Sequence, residues 1–310
     1  MLIVAGPTGS GKSALALDVA SAFDGVVINA DSAQVYRELR ILTARPSPDD
    51  EARAPHRLYG VLSAAERCSA GRWLEMADAA IGEARSAGRL PVVVGGTGLY
   101  LKVVTKGLAP VPAVPAGVRA EATALWAKLG GEAFRAMLAE RDPQAAAKLP
   151  AGDRQRLLRA WEVVRATGCP LSEWQKAARE GKGPENSAAT LVLSPPRETL
   201  YPALDARFLR MLERGALQEV EALVAMHLDP SLPAMKAVGV RELAAHLRGE
   251  TTLATATTEA QQATRRFAKR QMTWLRHQVA ADAVFFEQYS ERIKKEIFSF
   301  IRREVLTRAR

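Results

Sequence analysis

The chain has 310 residues and a net charge of +9, and its 48% hydrophobic and 25% charged residues are typical of a globular protein with one large or two modest domains. Its two cysteines, Cys68 and Cys169, lack metal-ligand spacing, which argues against a disulfide framework or a zinc site and fits a reducing cytosol. Because no run of about 18 apolar residues exists and the first apolar run begins at Leu2, we expect a cytoplasmic protein with neither a membrane span nor a signal peptide.

The first predicted strand, Leu2–Ala5, leads directly into a phosphate loop with the pattern G-x-x-x-x-G-K-S. Glycines in such a loop let successive backbone N–H groups point at an anion, and the positive end of the following helix adds to the attraction. Lys12 supplies a charge for the distal phosphate, and the Ser13 hydroxyl is suited to Mg²⁺. An ordinary glycine turn is the alternative, and the pattern does not distinguish a nucleotide from another diphosphate. The loop comprises Gly6, Pro7, Thr8, Gly9, Ser10, Gly11, Lys12 and Ser13.

The first hundred residues alternate between predicted strands and helices. β-Branched apolar runs at 2–5, 25–30 and 90–95 predict buried strands of a parallel sheet. A helix between them is indicated by the helical spacing of Trp73, Ala77, Ala80, Ile81 and Ala84. We therefore predict an α/β fold with a P-loop NTPase-like parallel sheet core flanked by helices, in which functional groups collect at the carboxyl ends of the strands.

Polar residues follow two of these strands. Asp31 comes after 25–30 and Thr97 after 90–95, so both face the same crevice as Lys12 if their strands neighbour the first one. A helix N-cap at Asp31 and a simple turn residue at Thr97 are the alternatives. The strand at 90–95 ends in Gly-Gly-Thr instead of the second Mg²⁺-binding carboxylate of phosphate-loop ATPases and kinases. Hydrolysis and γ-phosphoryl transfer are therefore less favoured than another reaction of a diphosphate ester, with Asp31 as the available carboxylate.

Breaks in the pattern predict two domains. A proline-rich connector at 110–115 and a glycine-rich one at 181–184 enclose helical patterns, and a strand-like run resumes at 190–193. The predicted division is a core domain of residues 1–111 and 186–310 and a helical insertion domain of residues 112–185. Further predicted elements are a helix over 204–212, an edge strand at 284–286 and a last helix marked by Ile293, Ile297, Ile301 and Val305.

Two predicted helices concentrate basic residues. In the insertion, Arg156 and Arg159 share a helix face suited to phosphates and base edges, with a merely solvated face as the alternative. A long basic helix is predicted over 257–279, with the aromatic rings of its stripe assigned to the core before base stacking. That stripe is formed by Phe267, Gln271 and Trp274. Clustered positive charge is typical of a polyanionic partner such as nucleic acid.

Several blocks of the chain resemble the bacterial tRNA dimethylallyltransferases, also called tRNA isopentenyltransferases. Each block is weak evidence on its own, whereas their order and spacing over most of the chain are specific. The blocks are GPTGSGKS at 6–13, DSAQVYR at 31–37, TARP at 43–46, VGGTGLY at 94–100, QRLLR at 155–159, TG at 167–168, AVG at 237–239 and KRQMTWLR at 269–276.

The resemblance implies transfer of the dimethylallyl group of dimethylallyl diphosphate to the exocyclic amino group of the adenosine on the 3′ side of a tRNA anticodon. It implies that Asp31 is the general base and that Thr97 hydrogen-bonds near the bridging oxygen of the diphosphate. Lys12, Mg²⁺ on Ser13 and Arg207 would stabilise the leaving diphosphate. The implied partners are dimethylallyl diphosphate and the tRNA anticodon stem-loop, bound by a monomer away from membranes.

The resemblance also implies a set of tRNA contacts. These residues lie around the two strand ends and on the basic helices, and the target base must leave the anticodon stack to reach them. The implied contacts are Asp31, Ser32, Ala33, Gln34, Thr97, Arg119, Gln155, Arg156, Leu157, Leu158, Arg159, Lys269, Arg270 and Arg276.

The chain departs from the family pattern at four places. Around Arg40 it reads ELRIL where the family usually has Gly-Met-Asp-Ile-Gly, while Arg57, Ala203 and Val240 replace a family His, Arg and Tyr. These changes affect expected contacts with tRNA and diphosphate. Two alternatives stay open: an adenylate isopentenyltransferase that uses a free nucleotide, and a P-loop nucleic-acid-binding ATPase. The insertion and the basic carboxyl-terminal third favour tRNA over a free nucleotide.

Overall fold

A six-stranded parallel sheet forms the centre of the fold. Its strands are β1 (Leu2–Ala5), β2 (Gly25–Asn29), β3 (His56–Arg57), β4 (Leu90–Gly95), β5 (Ala189–Leu193) and β6 (Ala283–Phe285). In the computed structural model, which describes residues 1–180 and 188–306, the strands lie in the order β3-β2-β4-β1-β5-β6. All five strand pairs are parallel, so the carboxyl ends of the strands share one edge of the sheet.

Thirteen helices accompany the sheet in the described part of the chain. They are α1 (Lys12–Ala22), α2 (Pro48–Arg53), α3 (Ala70–Ser86), α4 (Gly98–Lys106), α5 (Ala116–Ala139), α6 (Pro143–Lys148), α7 (Arg154–Thr167), α8 (Leu171–Glu180), α9 (Arg197–Glu213), α10 (Ala216–Ala225), α11 (Val240–Leu247), α12 (Leu253–Gln278) and α13 (Glu291–Ile301). A 3₁₀ turn at Ala234–Lys236 and a π-helical turn at Arg302–Leu306 complete the described elements. Within these described ranges, no helix is both long enough and apolar enough to cross a bilayer.

Alternating side chains of the strands build a core on each face of the sheet. Ile3 and Val93 lie in one cluster with residues of α3, α4 and α10 to α12. Leu2 and Val92 lie in the other, with residues of α1 and α13. Because both faces are covered, the strands are apolar throughout instead of alternating with polar residues, and β1 is buried at all four positions. This confirms the predicted α/β fold with its parallel core and flanking helices.

The predicted elements agree closely with the observed ones. The helix marked by Trp73 is α3, and its five predicted apolar positions are all buried. The edge strand expected at 284–286 is β6, and the basic helix expected over 257–279 is α12, which begins earlier because Thr252 caps its first turn. The sequence analysis missed β3, since a strand of only two residues, one half-buried and one exposed, carries no periodic signal.

The chain divides into two compact units, Met1–Thr105 with Asn186–Arg310 and Lys106–Glu185. The first contains the sheet. The second contains α5 to α8 and has its own apolar core, with Phe134, Leu157 and Trp161 buried together. The glycine-rich connector predicted at 181–184, and the predicted boundary beside it, lie outside the described residues. The contact of residues 112–185 with tRNA stays a prediction.

Candidate active site

The phosphate loop connects β1 to α1 at the carboxyl edge of the sheet. Gly11 occupies the N-cap of α1 with φ 85°, a backbone conformation that side chains other than glycine rarely adopt. A Cβ at this position would also lie 2.8 Å from the Cβ of Tyr289, so glycine is required there for two independent reasons. The first turn of α1 holds no acidic residue, which leaves the positive end of the helix available to an anion.

Two cations and one carboxylate interact at this loop. The Nζ of Lys12 donates to the carbonyl of Pro7 at 3.2 Å, and a guanidinium nitrogen of Arg207, from α9, donates to Thr8 Oγ1 at 3.4 Å. Burial lowers the pKa of Lys12 to about 8, with the charge of Asp31 acting in the opposite direction. Burial likewise lowers the pKa of Arg207, again opposed by Asp31. The surroundings therefore favour an additional anion beside both cations.

Asp31 follows β2 and is held mainly through its backbone. The buried Asn29 accepts from the Asp31 N–H at 2.8 Å and donates to the Asp31 carbonyl at 3.0 Å. One carboxylate oxygen accepts from the N–H of Ala33 at 2.9 Å, so the residue caps a turn instead of a helix. The other oxygen makes no hydrogen bond to any described residue. That oxygen is available to accept a proton from a substrate.

Thr97 follows β4, which lies between β2 and β1 in the sheet. The expected adjacency to the first strand therefore holds for β4, whereas β2 lies one strand further away. The Thr97 hydroxyl accepts from the Ser32 N–H at 2.9 Å and donates to Ser32 Oγ at 3.3 Å. The Thr97 N–H donates to the carbonyl of Ala30 at 3.2 Å. The turns carrying Asp31 and Thr97 are thus bonded to each other.

Three residues that are distant in the sequence hydrogen-bond to the phosphate loop, and the sequence analysis did not identify them as functional residues. Gln271 of α12 bonds to the loop at Thr8, and Gln288 donates to the carbonyl of Gly9 at 2.9 Å. The N–H of Tyr289 donates to the carbonyl of Ser10 at 3.0 Å. For Gln271 a signal existed, because a glutamine on an apolar helix stripe needs a buried partner. The sequence around residues 288 and 289 contains no comparable signal.

The predicted tRNA contacts of the first unit lie on two segments. Lys269, Arg270 and Arg276 are exposed on α12, where the guanidinium of Arg270 lies 5.8 Å from the ring centre of Phe267. Gln34 donates its amide to the carbonyls of Thr43 and Ala44 at 2.9 and 3.2 Å. Its side-chain oxygen makes no hydrogen bond to any described residue. Ser32 is exposed and Ala33 is half-buried.

In the second unit, the predicted contacts differ in exposure. Gln155, Arg156 and Arg119 are exposed, and Arg159 is half-buried. Leu157 and Leu158 lie in the apolar core of the unit at 0% and 8% exposure. The implied tRNA contact of these two leucine side chains is therefore corrected: they anchor α7 and leave its polar face to solvent. That face includes Glu162, 3.8 Å from Arg159 and electrostatically coupled to Arg119 as well.

The departures from the family pattern have definite places in the fold. The carboxylate of Glu219, from α10, accepts from the backbone N–H groups of Arg40, Ile41 and Leu42 at 2.7, 2.6 and 2.8 Å. This carboxylate holds the segment that reads differently from the family. Val240, the first residue of α11, is 1% exposed in the core, so a substrate cannot contact its side chain. Ala203 is half-buried on α9, and Arg57 is exposed on β3.

The fold and this site together define a P-loop α/β protein whose phosphate loop and neighbouring cations are suited to an anion. Residues 34–278 match the family model described as IPP transferase. The match covers well over half of the chain, and the chain belongs to the IPP transferase family. The phosphate loop precedes the matched range.

Two relatives extend this match. A tRNA dimethylallyltransferase of Rhodospirillum centenum is 60% identical over 281 residues, covering 91% of this chain and 90% of the relative. That of Paramagnetospirillum magneticum is 53% identical and covers 99% of this chain and 97% of the relative. The predicted family and the predicted enzyme class, a prenyltransferase, are confirmed.

Solved structures agree with the fold. The full-length tRNA isopentenylpyrophosphate transferase from Bacillus halodurans superposes with a TM-score of 0.71 at 28% identity, covering 99% of this chain and 97% of that one. A eukaryotic dimethylallyltransferase acting on tRNA gives a TM-score of 0.77 at 25% identity, covering 100% of this chain and 77% of that one.

Proposed function

We propose that the chain is a tRNA dimethylallyltransferase, which moves the dimethylallyl group of dimethylallyl diphosphate to the N6 amino group of the adenosine 3′ to the anticodon. The observation that carries this proposal is the group formed by Lys12, Arg207 and Asp31 at the carboxyl edge of the sheet. Two cations suit a leaving diphosphate, and a carboxylate suits the proton that the amino group must lose. The relatives with this activity match the chain over nearly its whole length.

The phosphate loop stabilises the leaving group. As the bond between the allylic carbon and the bridging oxygen breaks, negative charge develops on the diphosphate. Lys12, Arg207 and the positive end of α1 are placed to interact with that charge. Burial lowers the pKa of both side chains, and the negative charge of a bound diphosphate would oppose this by stabilising their charged forms.

Mg²⁺ fits the same site through Ser13. This residue lies in the first turn of α1 and is exposed, and its hydroxyl makes no hydrogen bond to any described residue, so the hydroxyl is available as a ligand. Bound Mg²⁺ would neutralise charge on the diphosphate oxygens. In the described part of the chain, no group of three or more His, Cys, Asp or Glu side chains is placed to hold a metal ion.

Asp31 takes the proton. The adenine amino group is a poor nucleophile because its lone pair is delocalised into the ring. A new bond forms from N6 to the allylic carbon, the carbon–oxygen bond breaks, and a proton passes from N6 to the unbonded oxygen of Asp31. Thr97, fixed against Ser32, is placed beside this carboxylate turn.

Transfer also requires the anticodon stem-loop as a partner. The exposed cations of α12 and of α7 suit phosphates, and the adenine must be extruded from the stack to reach Asp31. We include in the proposal that the enzyme acts as a cytoplasmic monomer.

The experiment is incubation with unmodified tRNA, dimethylallyl diphosphate and Mg²⁺, followed by mass spectrometry of the nucleosides. We expect a five-carbon mass added to one adenosine, and none when isopentenyl diphosphate, which is not allylic, replaces the substrate. Absence of the added mass would contradict the proposal. Transfer to free AMP would instead support a nucleotide-specific enzyme, and phosphate release from ATP without transfer would support an ATPase.

A further inference from the structure

Gln271 is a buried amide on a helix whose neighbouring positions face solvent. Its side chain is 5% exposed, whereas Lys269 and Arg270 are exposed. Its Oε1 accepts from the N–H of Thr8 at 2.8 Å, and its Nε2 donates to the carbonyl of Gly96 at 2.9 Å. A backbone N–H can only donate and a carbonyl can only accept, so these partners determine the orientation of the amide.

The two partners belong to the two halves of the site. Thr8 lies in the phosphate loop, and its hydroxyl accepts from Arg207. Gly96 immediately precedes Thr97, in the turn that is bonded to Ser32. One side chain from α12 therefore joins the diphosphate half of the site to the half that carries the proton acceptor.

Close packing makes this link specific. A Cβ at Gly96 would overlap the Nε2 of Gln271, so the absence of a side chain at Gly96 allows the amide to reach the backbone. One turn further along α12, the ring of Trp274 covers Gly98 in the same way. The amide is thus held between two backbone segments.

We propose that Gln271 is a positioning residue of the transfer reaction: its side-chain amide fixes the phosphate loop relative to the turn that carries Thr97. The proposal rests on the proposed function. Gln271 acts through Thr8 and Gly96 and needs no contact with substrate. Because a displacement of about 1 Å in a reacting group can cost about a hundredfold in rate, loosening this link should reduce transfer more than it reduces folding.

The test compares Gln271→Met with Gln262→Met. Methionine has nearly the shape of glutamine without its hydrogen bonds, and Gln262 is an exposed residue of the same helix. For Gln271→Met we expect kcat to fall by about 10- to 100-fold and the dissociation constant of inorganic diphosphate, measured by calorimetry, to rise by about tenfold. Gln262→Met should match the parent in both. Equal values in the two variants would overturn the proposal.

A second variant separates positioning from simple stabilisation and replaces the first if Gln271→Met fails to fold. Gln271→Glu can still accept from Thr8, but it donates to the Gly96 carbonyl only when protonated. Burial raises the pKa of such a carboxyl, so the kcat ratio of variant to parent should rise as the pH falls from about 8 to about 6. A flat ratio would contradict the proposal. If the parent binds diphosphate but transfers nothing, the proposed function fails and the diphosphate affinities alone decide the role of Gln271.

Discussion

The phosphate loop and the arginine face of α7 are held in opposite ways. The loop is bonded by residues far away in the sequence, including Arg207, Gln271 and Gln288. The two arginines of that face pair with residues three positions away in the chain: Arg156 with Asp153 at 3.3 Å and Arg159 with Glu162 at 3.8 Å. The loop is held by contacts of the tertiary structure, whereas the arginine face carries solvent-facing charges with local partners on a packed helix.

This difference corresponds to two functional requirements, stabilisation of a transition state and binding of a polyanion. Stabilising charge in a transition state requires groups that are in place before the reaction, so distant hydrogen bonds are useful there. Binding a polyanion depends on the sum of many exposed contacts, none of which needs a fixed geometry, and exposed ion pairs contribute little to stability. Substitutions at the loop should therefore have large effects on chemistry, and substitutions at the face small effects that depend on salt.

The largest effect is expected at Asp31. Asp31→Asn keeps the shape and the bond from the N–H of Ala33 but cannot take a proton, so kcat should fall by about 10²- to 10⁴-fold. Single-turnover assays should show the loss, while tRNA binding in a filter assay stays within about twofold. A kcat within about tenfold of the parent would remove Asp31 from the role of base.

Next in size is the removal of the loop cation. Lys12→Met keeps the length of the side chain and loses its charge, and kcat/KM for dimethylallyl diphosphate should fall by about 10²- to 10³-fold. Steady-state kinetics at saturating tRNA measures this. If Lys12→Met lowered kcat/KM no more than a substitution on α7 does, the conclusion that the phosphate loop is more sensitive to substitution would be wrong.

A smaller effect follows from the pKa of Lys12, which burial lowers to about 8. Diphosphate binding needs the charged amine, so affinity is fully present below pH 8 and is lost as the pH rises through that value. We expect kcat/KM to fall by about tenfold per pH unit above pH 8, with the profile reporting the free enzyme. Lys12→Arg, which keeps its charge throughout this range, should lack that decline.

On the arginine face the effects should be modest. Arg156→Ala should weaken tRNA binding only a few-fold and reduce the slope of log affinity against log salt by about 0.7 to 0.9, as expected for one lost phosphate contact. Binding titrations over a range of salt concentrations measure both quantities. Arg141→Ala, at an exposed arginine of the same unit, is the control. A changed kcat with an unchanged salt slope would contradict the assignment.

The smallest effect is expected behind the loop. Tyr289→Phe loses the hydroxyl bond to Asp18 at 2.8 Å but keeps the backbone bond from residue 289 to Ser10. Because Asp18 retains Arg53 and Lys294, the free energy of unfolding should fall by about 1 kcal/mol and kcat by less than about twofold. Denaturant titration and initial rates measure these. A large loss of kcat would mean that the hydroxyl, and not the main chain, holds the loop.

Local patterns were sufficient to predict much of this molecule. The phosphate loop, the strand β1 and the buried stripe of α3 follow from neighbouring residues, because motif chemistry and the periodicity of apolar residues act over a few turns. The prediction that Asp31 and Thr97 lie at strand ends is of the same kind. The placement of the two residues at one edge followed from the rule that parallel strands end together.

Pairings between distant residues could not be read from such patterns. Three such pairings join segments that are far apart in the chain. The strand β4 pairs with both β2 and β1, Gln271 bonds to Thr8 and Gly96, and Glu219 bonds to residues 40–42. Such contacts depend on how helices pack over both faces of the sheet, which no short window of residues encodes. The residues that carry the chemistry of this site could therefore be predicted from local sequence patterns. The geometry of the site depends on contacts between segments that are distant in the sequence, and these form only in the folded chain.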